Sequence, residues 1–163
     1  MKRPDLIPAK ILTLPNLLKL VHSWKATGAT ISFTNGVFDI LHEGHIASLS
    51  DAAREAHYLI VGVNSDASVK RLKGPERPVN NEQGRALLLA SMVMVDAVVI
   101  FEEDTPLNLI TNILPDVLVK GGDYTLEQIV GSKEVIANGG RVVINPILEG
   151  FSTTGIIERM RMQ

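Results

Sequence analysis

Apolar residues recur along the chain in two alternating patterns. Short runs rich in β-branched residues predict strands buried on both faces, and they lie at 30–33, 58–64, 97–101, 117–120 and 141–145. Between them, apolar residues at helical spacing predict helices at 14–25, 46–56, 82–93, 106–114 and 126–138. Strands that alternate with helices imply a parallel sheet. The pattern therefore predicts an α/β fold, a single-domain, Rossmann-like, doubly wound parallel sheet of five strands.

The pattern contains no repeat, linker or low-complexity segment, so one domain over 1–163 is expected, with an N-terminal helical extension over about residues 1–28. Residues 1–12 have little pattern and contain Pro4 and Pro8. We expect this arm to run over the surface or to reach a partner subunit. The arm and the amphipathic helix after it are compatible with a homodimer.

Composition narrows the class of protein. A content of 45% hydrophobic and 21% charged residues is typical of a globular domain. The net charge of -2 gives no electrostatic reason to expect nucleic acid. The absence of cysteine excludes disulfides, zinc–thiolate sites and thiol nucleophiles. Neither a signal peptide nor a membrane-spanning run is visible, so we expect a cytoplasmic protein that makes no membrane contact.

The chemistry is predicted at residues 34–45, between the first strand and the next helix. A helix that begins just after a strand points free backbone N–H groups and a positive dipole end at one place, which suits a phosphate. Gly36 and Gly44 allow the backbone to approach a bulky anion. His42 and His45, three residues apart, can face the same point. A zinc site is a poor alternative, because nothing nearby completes a tetrahedral ligand set.

Other suggestive residues also follow predicted strands. The basic segment 69–78 is either a solvated loop or a mobile lid, in which Lys70 and Lys73 close on a phosphate chain. Lys120 ends an apolar strand and is followed by Gly121, Gly122 and Asp123, which predicts a sharp turn beside a ligand. A lysine there is costly to bury without an anionic partner.

Ser152, Thr153 and Thr154 begin the last predicted helix. One hydroxyl can cap that helix, and the other two form a second anion site with the backbone N–H groups. Neither GxGxxG nor the Walker sequence is present. Two anion sites with paired imidazoles favour catalysis on a nucleoside triphosphate over hydride transfer. Asp39 either orients the turn or helps to hold Mg²⁺ or the acceptor.

The sequence also resembles a known family. Asn35-Gly36-x-Phe38-Asp39 followed by His-x-Gly-His resembles the signature of the nucleotidyltransferase superfamily. From about Ile31 onward, FTNGVFDILHEGH, LPDVLVKGGDY and FSTTGIIERM resemble the adenylyltransferases that form ADP-heptose from D-glycero-β-D-manno-heptose 1-phosphate.

The resemblance implies transfer of AMP from ATP to the sugar 1-phosphate for lipopolysaccharide or another surface glycan. Mg²⁺ would be held mainly by the triphosphate, and a separate sugar kinase would supply the acceptor. It implies catalytic roles for His42, His45 and Lys73. Nucleotide-binding roles fall on Thr34, Asn35, Gly36, Phe38, Gly44, Lys70, Arg85, Ser152, Thr153 and Thr154, and substrate-binding roles on Asp39, Lys120, Gly121, Gly122 and Asp123.

Two alternatives remain open. The first is the same chemistry with CTP and glycerol 3-phosphate, because base choice depends on pocket shape that spacing does not reveal. The second is a nucleotide-binding regulator without catalysis. One departure from the family pattern is Gly84, beside Arg85, since glycine weakens a helix by up to about 1 kcal/mol relative to alanine.

Overall fold

The computed structural model describes residues 3–146 and 153–161. Its centre is one five-stranded sheet whose strands are all parallel, in the order β3-β2-β1-β4-β5. The strands are β1 (Ile31–Gly36), β2 (Tyr58–Asn64), β3 (Ala97–Phe101), β4 (Val117–Gly121) and β5 (Arg141–Asn145). The predicted α/β doubly wound fold is confirmed.

Helices cover both faces of the sheet. They are α1 (Leu6–Ala9), α2 (Leu14–Ala26), α3 (Glu43–Arg54), α4 (Asp66–Lys73), α5 (Glu82–Ala90), α6 (Leu107–Ile113), α7 (Ser132–Ala137) and α8 (Thr153–Arg161). Side chains of α2, α6 and α7 pack on one face of the sheet around Phe33 and Ile60. Side chains of α3 and α5 pack on the other face around Val61 and Val119.

The first strand is longer than predicted. Asn35 and Gly36, which we expected in the turn, pair with Gly62 and Val63 of β2. An Asn-Gly pair is typical of turns, but pairing with β2 holds these two residues in the strand. The central strand therefore carries the chain directly to the place where ligands bind in such sheets.

The basic segment 69–78 was predicted to be a loop, and this was wrong for its first half. α4 runs through Lys73, with the Ser65 hydroxyl accepting a hydrogen bond of 3.1 Å from the Ser68 N–H at its start. Asp66 in the first turn and the basic residues of the last turn both interact favourably with the helix dipole and stabilise α4. The helix ends at Gly74, whose φ is 97°.

The predicted helix over 126–138 is interrupted. A 3₁₀ turn spans Leu126–Gln128 and α7 begins only at Ser132. Gly131 separates them with φ 86°, a left-handed conformation that ends a helical path. A Cβ at Gly131 would lie 2.6 Å from the Ile110 side chain, so the interruption also brings α7 close to α6.

The N-terminal arm was expected to run over the surface or to reach a partner subunit, and its last residues pair with the edge of the sheet. Ile11 forms a parallel bridge with Val98 of β3. The Leu12 N–H donates to the Val98 carbonyl, and the Val98 N–H donates to the Lys10 carbonyl, both at 2.8 Å. Residues 10–12 therefore cover the outer edge of β3. Within the described ranges, no helix is both long and apolar enough to cross a membrane.

Replacing Gly131 with alanine tests the packing of α6 against α7. Gly131→Ala combines a left-handed φ with a clash against Ile110, so we expect the free energy of unfolding to fall by about 2–4 kcal/mol. Gly139→Ala is the matched control, because Gly139 has φ 84° and a Cβ added there would meet no atom within 4 Å. That variant should lose only about 1 kcal/mol in urea unfolding. Equal losses in the two variants would contradict the packing argument.

Candidate functional site

The carboxyl ends of the strands form an open cleft at the centre of the sheet. The strand order reverses at β1, which has β2 on one side and β4 on the other. The helices that follow β1 and β4 pack on opposite faces, so the loops diverge and leave a crevice. The cleft consists of two adjoining cavities.

The first, which we call the histidine cavity, measures about 490 Å³, within the range of small-molecule sites. Predicted site residues that line it are Thr34, Asn35, Gly36, Phe38, His42, Gly44, His45, Lys120, Gly121 and Thr153. The second, the side cavity, measures about 370 Å³ and is lined by Lys73, Asp104, Thr105 and Gln128 among others. The two cavities share Asn35, Gly36, Val37, Lys120 and Tyr124.

The two histidines stand together at the N-terminus of α3. Their rings stack with centroids 3.9 Å apart and planes 29° apart. His42 is the N-cap residue, and the pair forms a reciprocal capping box at the first turn. The backbone N–H of His42 donates to Nδ1 of His45 at 3.4 Å. Because Nδ1 accepts, the proton of neutral His45 lies on Nε2, which is the nitrogen able to donate to a ligand.

Phe38 contacts one member of this pair, His45. Its ring centroid lies 5.4 Å from that of His45, and its φ of 51° is left-handed, which is uncommon outside glycine. A Cβ at Gly36 would lie 3.1 Å from the Phe38 ring. Gly36 therefore leaves room for the ring, and the strained Phe38 backbone turns the chain from β1 toward α3.

Burial controls the charge of both imidazoles. Burial, with a smaller contribution from neighbouring His42, lowers the pKa of His45 from 6.5 to about 4. Burial also lowers the pKa of His42, although the Glu43 carboxylate partly opposes this. Both rings therefore favour their neutral forms near pH 7. A bound anion would favour the protonated forms and raise both pKa values.

Lys120 lies at the boundary between the two cavities. Burial lowers the pKa of its ammonium group, which lies 5.9 Å from the centre of the Tyr124 ring. Among the described residues, no carboxylate forms an ion pair with it. This placement agrees with the expectation of an anionic partner, which stays a prediction.

The last helix begins opposite α3. Thr153, its first residue, lines the histidine cavity, and its hydroxyl donates to the Ile40 carbonyl at 3.2 Å. The N-termini of α3 and α8 thus open into one cavity, as a site for a chain of phosphates requires. Thr154 is exposed and does not line the cavity, and Ser152 lies outside the described residues.

Asp39 is placed to orient the turn. It is 2% exposed, accepts from the Arg77 guanidinium at 2.6 Å and accepts from the backbone N–H groups of Val79 and Asn80. Burial pushes its pKa up, but the N–H groups of Asn80 and Val79 and the Arg77 guanidinium together hold the pKa of Asp39 below its usual value. Asp39 lines neither cavity, so of its two predicted roles the structure favours the first.

Arg85 was predicted to reach a phosphate, and the structure does not bring it to either cavity. The side chain is fully buried, and its guanidinium donates to the carbonyls of Val37 (2.6 Å), Asn64 (2.8 Å) and Asn80 (2.9 Å) and to Asp66 (2.7 Å). These bonds fix the segment after β1, the end of β2 and the start of α4 relative to one another, and these segments lie around the site. Gly84 causes no weak point, because it lies in the first turn of α5, where its N–H donates to the capping Asn81 side chain at 2.8 Å.

The remaining predicted residues divide between the cleft and the surface. Lys73, near the end of α4, lines the side cavity. Lys70 is exposed. Lys70, Gly122 and Asp123 line neither cavity. The histidine cavity also contains residues that the sequence analysis missed, among them Ala47, Ser48, Asp51, Tyr124 and Pro146. Ser48 and Asp51 continue the face of α3 that begins with His45, and this spacing of three was the available signal.

In the described part of the chain, no group of three or more histidine, aspartate or glutamate side chains could hold a metal ion.

Comparison with known proteins agrees with this geometry. Residues 33–159 match the cytidylyltransferase-like family. The bifunctional protein HldE of Nitrobacter winogradskyi is 59% identical over 137 residues, which are 84% of this chain and 28% of that protein. HldE of Caulobacter sp. is 55% identical over 151 residues, 93% of this chain and 31% of that protein. The chain therefore spans less than a third of the length of these relatives.

Two solved structures share the fold. The lipopolysaccharide core biosynthesis protein of Thermoplasma volcanium has a TM-score of 0.60 and 26% identity, covering 74% of this chain and 97% of that one. Pantothenate synthetase of Thermus thermophilus has a TM-score of 0.61 and 19% identity, covering 90% of this chain and 67% of that one.

The low pKa of His45 can be measured directly by an NMR titration of the histidine ring protons. We expect His45 to titrate near pH 4 in the free protein and at a higher pH in the presence of sulfate, an anion that does not itself titrate in this range. Because folding lowers this pKa, stability should fall as the pH drops from about 6.5 toward 4. Sodium chloride at equal ionic strength is the matched control. A His45 titration curve unaffected by sulfate would contradict anion binding at the pair.

Proposed function

The chain belongs to the cytidylyltransferase-like family, and from this premise we propose that it is an adenylyltransferase that transfers AMP from ATP to a sugar 1-phosphate. The acceptor we propose is D-glycero-β-D-manno-heptose 1-phosphate, and the products are ADP-heptose and pyrophosphate. One observation carries the proposal: the stacked His42 and His45 at the start of α3 face a cavity that the start of α8 and Lys120 also line.

The choice of sugar rests on three supports. The VKGGDY sequence at 119–124 resembles the ADP-heptose-forming group more particularly than His-x-Gly-His does. Several relatives more than 50% identical carry the name bifunctional protein HldE. The Thermoplasma volcanium structure is described as a lipopolysaccharide core biosynthesis protein. Together they favour a heptose destined for a surface glycan.

The two cavities suit two substrates. We place the triphosphate of ATP in the histidine cavity, where the N-termini of α3 and α8 supply backbone N–H groups and Thr153 supplies a hydroxyl. We place the sugar phosphate in the side cavity, where Lys73 offers one charge for one phosphate. The polar groups of Asp104, Thr105 and Gln128 there suit the hydroxyls of a sugar.

The reaction requires alignment more than proton transfer. An oxygen of the sugar phosphate is already anionic, so it attacks the α-phosphorus of ATP without a general base. The bond between the α-phosphorus and the bridging oxygen breaks, and pyrophosphate leaves with the electron pair. Negative charge grows on the departing group as it separates. His45 donates to it through Nε2–H, with His42 beside it.

Lys120 has a distinct place in this scheme. It lines both cavities, so it lies between the two substrates and can reduce the repulsion between their phosphates. Its burial makes that charge costly in the empty site and more effective when anions are bound. Mg²⁺ bound to the triphosphate would reduce the remaining charge. A sugar kinase reaction must supply the 1-phosphate.

Cytidylyl transfer to glycerol 3-phosphate is the second candidate, because the family that the chain matches is described as cytidylyltransferase-like. We expect pyrophosphate release with ATP and heptose 1-phosphate and Mg²⁺, and at most a few per cent of that rate with CTP or glycerol 3-phosphate. If pyrophosphate is released only with CTP and glycerol 3-phosphate, the chain is a cytidylyltransferase and the proposed reaction is wrong. If the chain binds a nucleotide but releases no pyrophosphate with either pair of substrates, it is a regulator without catalysis.

Replacing His45 with alanine should lower kcat by about 10²- to 10³-fold, the usual loss when one positioned donor to a developing charge is removed. The far-UV circular dichroism should stay native. His22→Ala, on the exposed face of α2, is the matched control and should keep full activity. Unchanged turnover in His45→Ala would contradict the role given to the pair.

A further inference from the structure

Tyr124 lies in the cleft and has no part in the reaction scheme above. It is 44% exposed, and it lines both the histidine cavity and the side cavity. The other phenylalanine, tyrosine and tryptophan side chains that the structure describes are buried or half-buried. Since aromatic side chains commonly line small-molecule sites, an exposed ring at the meeting point of two cavities indicates a ligand that packs on it.

The backbone on either side of Tyr124 is anchored. Gly122 has φ 128°, a conformation that favours glycine, and its N–H donates to the Asn145 carbonyl at 3.0 Å. The Thr125 N–H donates to the side chain of Gln128 at 2.9 Å, within the capping box of the 3₁₀ turn. The backbone of Tyr124 therefore needs little further ordering when a ligand binds, which favours affinity.

The side cavity combines apolar and polar lining around this ring. Leu72, Ile129 and Val130 line the side cavity with Tyr124, and none of these three lines the histidine cavity. The charged and polar side chains described above line the same space. A cavity of this kind suits a ligand with hydroxyls at its edge and an apolar face. A pyranose sugar has this form, because hydrogens on its ring carbons can group on one face.

Lys120 sets the position of such a sugar relative to the ring. Its ammonium group lies over the Tyr124 ring, 5.9 Å from the ring centre. In a sugar 1-phosphate the phosphate is attached directly to a ring carbon, so a phosphate beside Lys120 brings the sugar ring to Tyr124. Glycerol 3-phosphate has no ring to place there.

We propose that Tyr124 is a specificity-determining residue for the acceptor, and that its aromatic ring packs against the apolar face of the pyranose ring of the sugar 1-phosphate. The inference rests on the proposed function for the identity of the acceptor. In a β-manno sugar the phosphate oxygen is equatorial, and one ring face has only hydrogens in its axial positions. In the α anomer the phosphate oxygen is axial on that face. Packing on Tyr124 therefore favours the β anomer.

Three variants separate packing on the ring from other effects. Tyr124→Ala removes the ring, and Tyr124→Phe keeps the ring but removes the hydroxyl. Leu126→Ala is the matched control, since Leu126 is also 44% exposed, lies in the neighbouring 3₁₀ turn and lines neither cavity. Both positions are exposed, so all three variants should keep the native far-UV circular dichroism.

Calorimetry with D-glycero-β-D-manno-heptose 1-phosphate, its α anomer, glycerol 3-phosphate and adenosine tests the assignment. We expect Tyr124→Ala to bind the β anomer about five- to tenfold more weakly than the wild type, because the sugar loses its aromatic contact. Tyr124→Phe and Leu126→Ala keep the ring and should stay within about twofold of the wild type. The wild type should prefer the β anomer, and Tyr124→Ala should lose most of this preference. Glycerol 3-phosphate and adenosine should bind Tyr124→Ala as they bind the wild type.

Equal affinity of the wild type and Tyr124→Ala for the β anomer would overturn the proposal. An equal loss in Tyr124→Phe would also overturn it, since the hydroxyl would then be the group that binds. A loss of adenosine affinity in Tyr124→Ala would place the ring against the nucleotide instead. Absence of heptose phosphate binding to the wild type, alone or with a non-hydrolysable ATP analogue, would leave the ring without its ligand and refute the assignment.

These binding results are independent of turnover. If the wild type binds the heptose phosphate through Tyr124 but releases no pyrophosphate, the proposed reaction fails while this inference stands. If it releases pyrophosphate and Tyr124→Ala binds the heptose phosphate normally, the inference fails alone.

Discussion

The site depends on the buried guanidinium of Arg85. It donates to carbonyls just after β1 and at the end of β2, and to the Asn80 carbonyl in the segment that leads to α5. Its ion pair with Asp66 adds the start of α4. A buried arginine is tolerated only when its donors are satisfied, and here each bond fixes a different piece of chain. The positions of the histidine turn and of Lys73 both follow from this one group.

Asp39 extends the same framework toward the histidines. Asn80 links the two networks, since its carbonyl accepts from Arg85 while its N–H and side chain bind Asp39. The turn after β1 is thus fixed by the Asp39 carboxylate and the Arg85 guanidinium, neither of which lines a cavity. The two histidines and Lys120, which do touch it, have pKa values that burial shifts toward their neutral forms. The residues that fix the backbone of the turn are therefore different from the residues whose protonation can change when a ligand binds.

The sequence predicted the five strands well, because buried parallel strands leave continuous β-branched runs such as those at 58–64 and 97–101. It failed where composition and tertiary structure disagree. The lysine-rich segment before Gly74 has the composition of a loop, but Ser65 caps it as a helix. Asn35-Gly36 has the composition of a turn, but both residues pair with β2. The pairing of His42 with His45 followed from spacing alone. The burial of Arg85 and the position of Asn145 depend on contacts far apart in sequence, which local pattern does not contain.

The bond between Thr153 and Ile40 joins residues 113 positions apart in the chain. Bringing residues so far apart in sequence together costs conformational entropy, which the packing of the intervening elements must offset. The cavity is therefore complete only once β4, β5 and the last helix have assembled on the central strand. A partly synthesised or misassembled chain would hold the histidine turn without its opposite wall. A ligand that contacts both walls of the cavity would therefore stabilise the fully assembled fold over any form in which the last helix is detached.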